Sequence, residues 1–267
     1  METIVKITRE KMQFYLIWLS SGEKLRVSED ILVKHRLLKG QEMSEQLIAE
    51  IKKAGSYDVG LQLALHYLSY QLRTKKEIRD YLREKEVAHQ DREKIIAQLQ
   101  ELALLDDYIY SESYVRTVMK TSDKGPSQIA QQLKLKGIEE EAVQQGLSLY
   151  TPEEQLITAS KAAEKGMRRY REKSFKDAIQ KTKMYLIQRG FSKDIAEQAM
   201  ADQEFEKDED QELEQLKKQG DRLWARHRNL ESGKRSLKIR QSLYQKGFDY
   251  ELISQFISEK ELEDDEE

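Results

Sequence analysis

Two stretches of the chain gather cations around aromatic side chains. GMRRYREKSFKDAIQKTK (166–183) sets Arg168, Arg169, Arg171, Lys173, Lys176, Lys181 and Lys183 among Met167, Tyr170 and Phe175, and Arg189 follows. DRLWARHRNLESGKRSLKIR (221–240) sets Arg222, Arg226, Arg228, Lys234, Arg235, Lys238 and Arg240 around Trp224. Between Lys161 and Lys193 eleven Lys/Arg face three Asp/Glu, and between Lys217 and Lys246 ten face two. Such runs suit phosphate or an acidic protein surface. The plainer reading is a solvated helix face, and the recurrence of the same excess sets the two readings level. The acids gather in EFEKDEDQELE (204–214) and EKELEDDEE (259–267), which are expected to lie away from the basic runs.

Other candidates for chemistry are weaker. Asp106-Asp107 could be a paired-carboxylate site, yet neighbours on a helix point about 100° apart, and two acids at a helix start more often cap it. His35, His66, His89 and His227 show no metal-binding spacing, and no phosphate-loop or nucleophile-elbow motif occurs. The phrase Leu-x-x-basic-Gly-Phe, at Leu186–Phe191 and Leu243–Phe248, has one glycine where the clamp of an RNA-binding module needs two. A glycine closing a helix in the left-handed conformation is the stronger reading. No catalytic, cofactor-binding or metal-ligating residue is expected.

The elements that carry these residues are helices. Two prolines and twelve glycines in 267 residues leave little to break them, and 36% charged against 38% hydrophobic residues suits an extended helical surface. There is no cysteine, no apolar run long enough to span a membrane and no leader pattern in METIVKITREKMQF. A soluble cytoplasmic protein without a membrane partner is expected.

The glycine phrase belongs to an internal repeat. Leu82, Leu133, Leu186 and Leu243 recur about every fifty residues. Four residues before them stand Ile78, Ile129, Thr182 and Ile239; four after them stand Glu86, Gly137, Gly190 and Gly247; then come Val87, Ile138, Phe191 and Phe248. Each unit reads as three helices, with the phrase ending the second. Stacking of such small units predicts a mainly α protein: tandem three-helix repeats in an elongated curved solenoid. At the start, TIVKI, MQFYLIWL and KLRV predict a small β-hairpin or meander, covered by helices opening at Ser28 and Ser44. The expected divisions are a strand-and-helix extension (1–57), repeats at 58–105, 106–150, 151–205 and 206–258, and an acidic disordered tail (259–267).

In order along the chain, YLSYQLRTKKEIRDYL (67–82), LLDDYIYSESYV (104–115) and KGPSQIAQQLKLKGI (124–138) resemble the RecX family of regulators of the RecA recombinase. Asp106-Asp107 match its acidic pair, Tyr110 and Ser111 its aromatic and small residues, and Gly125 and Lys136-Gly137-Ile138 match directly. Thr74 and Ile78 depart from the more frequent Ser and Leu, and Glu86 departs from the glycine, which blurs the register of the first unit. The resemblance covers roughly 58–260, and the amino-terminal strands look like the extension of longer members. It implies a non-enzymatic, monomeric regulator that lies in the groove of the RecA filament on single-stranded DNA. There it would modulate recombination, coprotease activity and ATP turnover in DNA repair and the SOS response. The basic runs would face RecA, with weak direct DNA contact possible. The alternative is a nucleic-acid-binding protein made of helix-turn-helix-like bundles.

Overall fold

The computed structural model describes residues 1–10 and 14–266. Strands β1 (Glu2–Arg9), β2 (Phe14–Leu19) and β3 (Lys24–Ser28) form the expected meander. A short β4 (Glu42–Met43) pairs with β1, making a four-stranded antiparallel sheet of order β3-β2-β1-β4. Met12 and Gln13, expected in the second strand, lie outside the described residues. β2 is apolar on both faces because each meets a different core. Ile17 and Leu19 join Ile4, Leu25 and Val27, whereas Phe14 packs with Leu63, Ile78, Leu82 and Ile95.

Thirteen helices follow among the described residues. After α1 (Glu29–Lys34), the first repeat is α2 (Glu45–Leu68), α3 (Lys75–Glu84) and α4 (His89–Glu101). The second is α5 (Asp107–Thr121), α6 (Pro126–Leu135) and α7 (Glu140–Leu147). The third is α8 (Pro152–Arg169), α9 (Phe175–Gln188) and α10 (Lys193–Asp202), and the fourth α11 (Glu209–Arg226), α12 (Ser232–Gln245) and α13 (Tyr250–Glu266). Ser28, Ser44 and Ser192 cap their helices as expected, and Thr74, Thr151, Ser174 and Asp208 do the same. Each accepts a hydrogen bond from the backbone three residues on, filling one of the donors a helix start leaves free.

The helix stops repeat in atomic detail. Val87, Ile138, Phe191 and Phe248 each donate their N–H to the carbonyl of Leu82, Leu133, Leu186 and Leu243, five residues back. The residue between is left-handed every time: Gly137, Gly190 and Gly247 have φ of 80°, 92° and 88°, and Glu86 has 60°. The first unit therefore keeps the register that its missing glycine obscured.

Two expected divisions are corrected. The boundary at 57/58 falls inside α2, which runs unbroken through Gly55 and Gly60. Those glycines mark close approaches within a helix: a Cβ at Gly55 would lie 3.2 Å from the Arg26 carbonyl, and one at Gly60 2.7 Å from Ile95. The acidic tail is also no separate segment, since α13 carries it in helical form as far as Glu266. Pairing with α11 and α12 holds it: Asp264 with Arg235, Glu259 with Lys217, and Glu261 with Ser236. Glu267 lies outside the described residues.

The chain folds as two compact units, Met1–Tyr114 with Gln132–Gly146, and Val115–Gln131 with Leu147–Glu267.

Candidate interaction surface

In the first unit, the start of α3 receives two groups from the second repeat. Thr74, fully buried, donates its hydroxyl to the carbonyl of Lys136, 2.9 Å away in the Lys-Gly-Ile phrase. The Lys75 N–H donates to Asp107 at 3.0 Å. A carboxylate there completes a helix start that is short of acceptors and carries positive dipole. Asp106 and Asp107 thus divide their work. Asp106 caps its own helix, accepting from Tyr108 and Ile109, while Asp107 turns to α3.

The second unit builds the same joint twice. Gly125 and Ser127, at the start of α6, donate to the carbonyls of Arg189 and Gly190 at 2.7 and 3.1 Å. Ser174, at the start of α9, donates to the carbonyl of Lys246, and the Phe175 N–H donates to Glu212 at 2.8 Å. The glycines allow this closeness. A Cβ at Gly190 would lie 2.5 Å from the Gln128 nitrogen, and one at Gly247 2.8 Å from Ser174 Oγ. The glycine phrase therefore ends one helix and seats it on the start of the preceding repeat's second helix.

Asp107 and Glu212 are each 4% exposed. Burial pushes both carboxyls above their ordinary values, opposed by the bonds from Lys75 and Phe175.

The basic residues sort by partner. Arg171, Lys173, Arg222, Arg226, Arg228 and Lys238 are exposed and form no ion pair among the described residues. Desolvation, then Lys173 and Arg222, push the Lys246 amine below its ordinary value against the opposing charge of Asp177, so cations of the third and fourth repeats act together on this lysine. Burial lowers the His227 imidazole first, followed by the charges of Lys238 and Arg226.

The remaining expected cations, Lys183 apart, are engaged. Arg168 meets Glu164 on its own helix at 3.2 Å, and Lys234 meets Glu231 at 2.9 Å. Arg169 lies by the rings of Tyr170 and Tyr185. Arg189 pairs with Asp123 at 3.2 Å and stacks on Tyr185, while Arg240 lies 5.7 Å from the Tyr250 ring. Lys183 is half-buried. Arg235, only 12% exposed, is bound to Asp264.

The acids do not lie away from these runs. A hollow lined by Met167, Phe175 and Phe205 also includes Arg168, Arg171 and Lys173 together with Glu206, Asp208 and Glu212. Among the described residues no three His, Asp or Glu side chains are grouped to hold a metal, and no helix is long and apolar enough to cross a membrane.

The architecture defines a class, successive three-helix units that follow a small antiparallel sheet along the chain. Family models of RecX match each unit: the first three-helix domain at 61–99, the second at 106–147, and the third twice, at 153–200 and 209–257. The chain is 62% identical over 266 residues to "Regulatory protein RecX" of Enterococcus faecalis, covering all of both chains. It is 33% identical to the protein of that name from Bacillus subtilis, over 98% of this chain and 100% of the other. A crystal structure of regulatory protein RecX superposes with TM-score 0.60 at 38% identity, spanning 74% of this chain and 98% of that one. RecX from Lactobacillus salivarius superposes with TM-score 0.54 at 41% identity, over 56% and 97%. The chain belongs to the RecX family of regulatory proteins.

Proposed function

We propose that the chain regulates RecA without catalysing a reaction itself, by lying in the groove of the RecA filament on single-stranded DNA and modulating ATP turnover, coprotease activity and recombination. Membership of the RecX family supports RecA as the partner. The observation that supports the surface is that Lys173 and Arg222, exposed cations of two repeats without ion pairs, both act on Lys246 and outweigh Asp177 there. A groove lined by acidic protein side chains, with phosphates deeper, would oppose such a surface.

Titrating the chain into RecA filaments while following ATP hydrolysis and filament length tests this reading. A change at stoichiometric concentration is expected; none would overturn it. Reversing charge at Arg168, Arg169, Arg226 and Arg228 should weaken filament binding tenfold or more, on the order of 1.4 kcal/mol, with Tm nearly unchanged. These side chains are exposed; Arg168 makes one surface pair, which contributes little to stability, and Arg169 lies at the edge of contact with two tyrosine rings. A collapsed Tm would make them structural.

A further inference from the structure

The acidic end of α13 stands at the wrong end of its helix. Carboxylates are unfavourable at a helix C-terminus, where the dipole is negative, yet the last turn has no basic residue. What holds it is a ready-made anion site on α11 and α12. The Arg235 guanidinium lies 4.0 Å over the Trp224 ring and donates one N–H to the Trp224 carbonyl at 3.3 Å. Another N–H reaches Asp264 Oδ2 at 2.6 Å, and Trp224 Nε1 reaches Asp264 Oδ1 at 3.4 Å. Ser236 donates to Glu261 beside it. One carboxylate is thus held by an arginine and an indole N–H, the donors that would grip two oxygens of a phosphate.

We propose that Trp224, Arg235 and Ser236 form a binding site for the phosphodiester backbone of single-stranded nucleic acid, occupied in cis by the acidic end of α13. One feature favours nucleic acid over an acidic peptide. Arg222, Arg226, Arg228 and Lys238, on the same pair of helices or the turn between them, stand exposed without ion pairs, a density suited to successive phosphates. The acidic end is easily displaced, because its own helix does not favour it and its carboxylates are largely at the surface, Asp264 being 45% exposed.

The test needs no RecA, so it stands apart from the filament reading. Binding of a fluorescent thirty-nucleotide oligo-dT is measured by anisotropy at low salt, for the full chain and for a variant with Glu261→Gln, Glu263→Gln and Asp264→Asn. The neutralised variant should bind about tenfold tighter, with the gain shrinking as salt rises. Adding Arg235→Ala should remove the gain. Because that substitution disturbs packing, a second variant keeps the arginine: Ser236→Cys with Glu261→Cys, tethered by a short bis-maleimide, should bind less tightly than the same variant untethered. This is clean in a chain that has no cysteine. Equal affinity of the neutralised and natural chains overturns the proposal. So does competition by poly-glutamate as strong as by oligo-dT, which would make the site one for acidic protein.

Discussion

Lys136 and Lys246 occupy the same place in two copies of the glycine phrase, and their surroundings are opposite. Each offers its carbonyl to the hydroxyl that caps an earlier helix, Thr74 or Ser174. The Lys136 amine, however, meets Glu77 at 2.7 Å. Burial works against its charge, but the bonds with Glu77 and Tyr110 outweigh it and hold the amine above the ordinary lysine value. Lys246 has no such bonds: desolvation comes first, and Lys173 and Arg222 push it further down against the opposing charge of Asp177. The backbone joint is common to the repeats because geometry requires it. The side-chain charge is not required by the joint, so one copy pairs it with an acid and another sets it beside further cations.

The largest effects should come from the backbone they share. Gly190→Val places a β-branched residue at φ 92° and its Cβ against the Gln128 backbone. A loss of about 3 kcal/mol is expected in chemical denaturation, from left-handed strain and overpacking together. Unchanged stability would show that the joint yields.

Next come the carboxylates that complete the joints. Asp107→Ala leaves the Lys75 N–H without its acceptor and should cost about 1–2 kcal/mol. Asp107→Asn keeps the acceptor and should cost far less. The two also differ from the natural chain in pH dependence. A carboxyl whose folded pKa is raised holds its proton more tightly in the folded chain. It therefore adds stability as pH falls toward the unfolded value of about 4 and loses it as pH rises through the folded pKa. Denaturation midpoints of Asp107→Asn with Glu212→Gln should lack that slope across mildly acidic pH.

The comparison itself is tested by a matched pair. Lys136→Gln strips Glu77 of its partner and should destabilise by about 1 kcal/mol, whereas Lys246→Gln relieves repulsion and should leave stability unchanged or slightly raised. Equal losses would mean that the two lysines do the same work. The smallest effect belongs to the copy without glycine. Glu86→Gly removes a side chain from φ 60° and should raise stability by about 0.5–1 kcal/mol.

Much of the fold was legible because its signals are local. A serine or threonine before an apolar stripe, and a glycine with an apolar residue after it, are settled within five residues of chain. Even Glu86 obeys, since the Val87 to Leu82 hydrogen bond is set by the leucine and the valine, not by the residue between. The misread places are those where distant chain intervenes. The division expected at 57/58 falls inside one long helix, where Gly55 and Gly60 admit Arg26 and Ile95 to its flank. A disordered acidic tail is expected at 259–267, yet Glu259, Glu261 and Asp264 meet Lys217, Ser236 and Arg235, since charge in sequence does not say which groups it will meet.

By itself, then, the sequence determined the repeat, the helix ends and the family, because hydrogen bonds within one turn and the period of apolar residues are written in neighbouring positions. Only the tertiary structure decided which cations are free. Asp264 reaches Arg235 across 29 residues, and Glu77 reaches Lys136 across 59, while Lys173 and Arg222 both act on Lys246, with Asp177 opposing them. Coulomb energy depends on distance through space, and the spacing along the chain does not contain it.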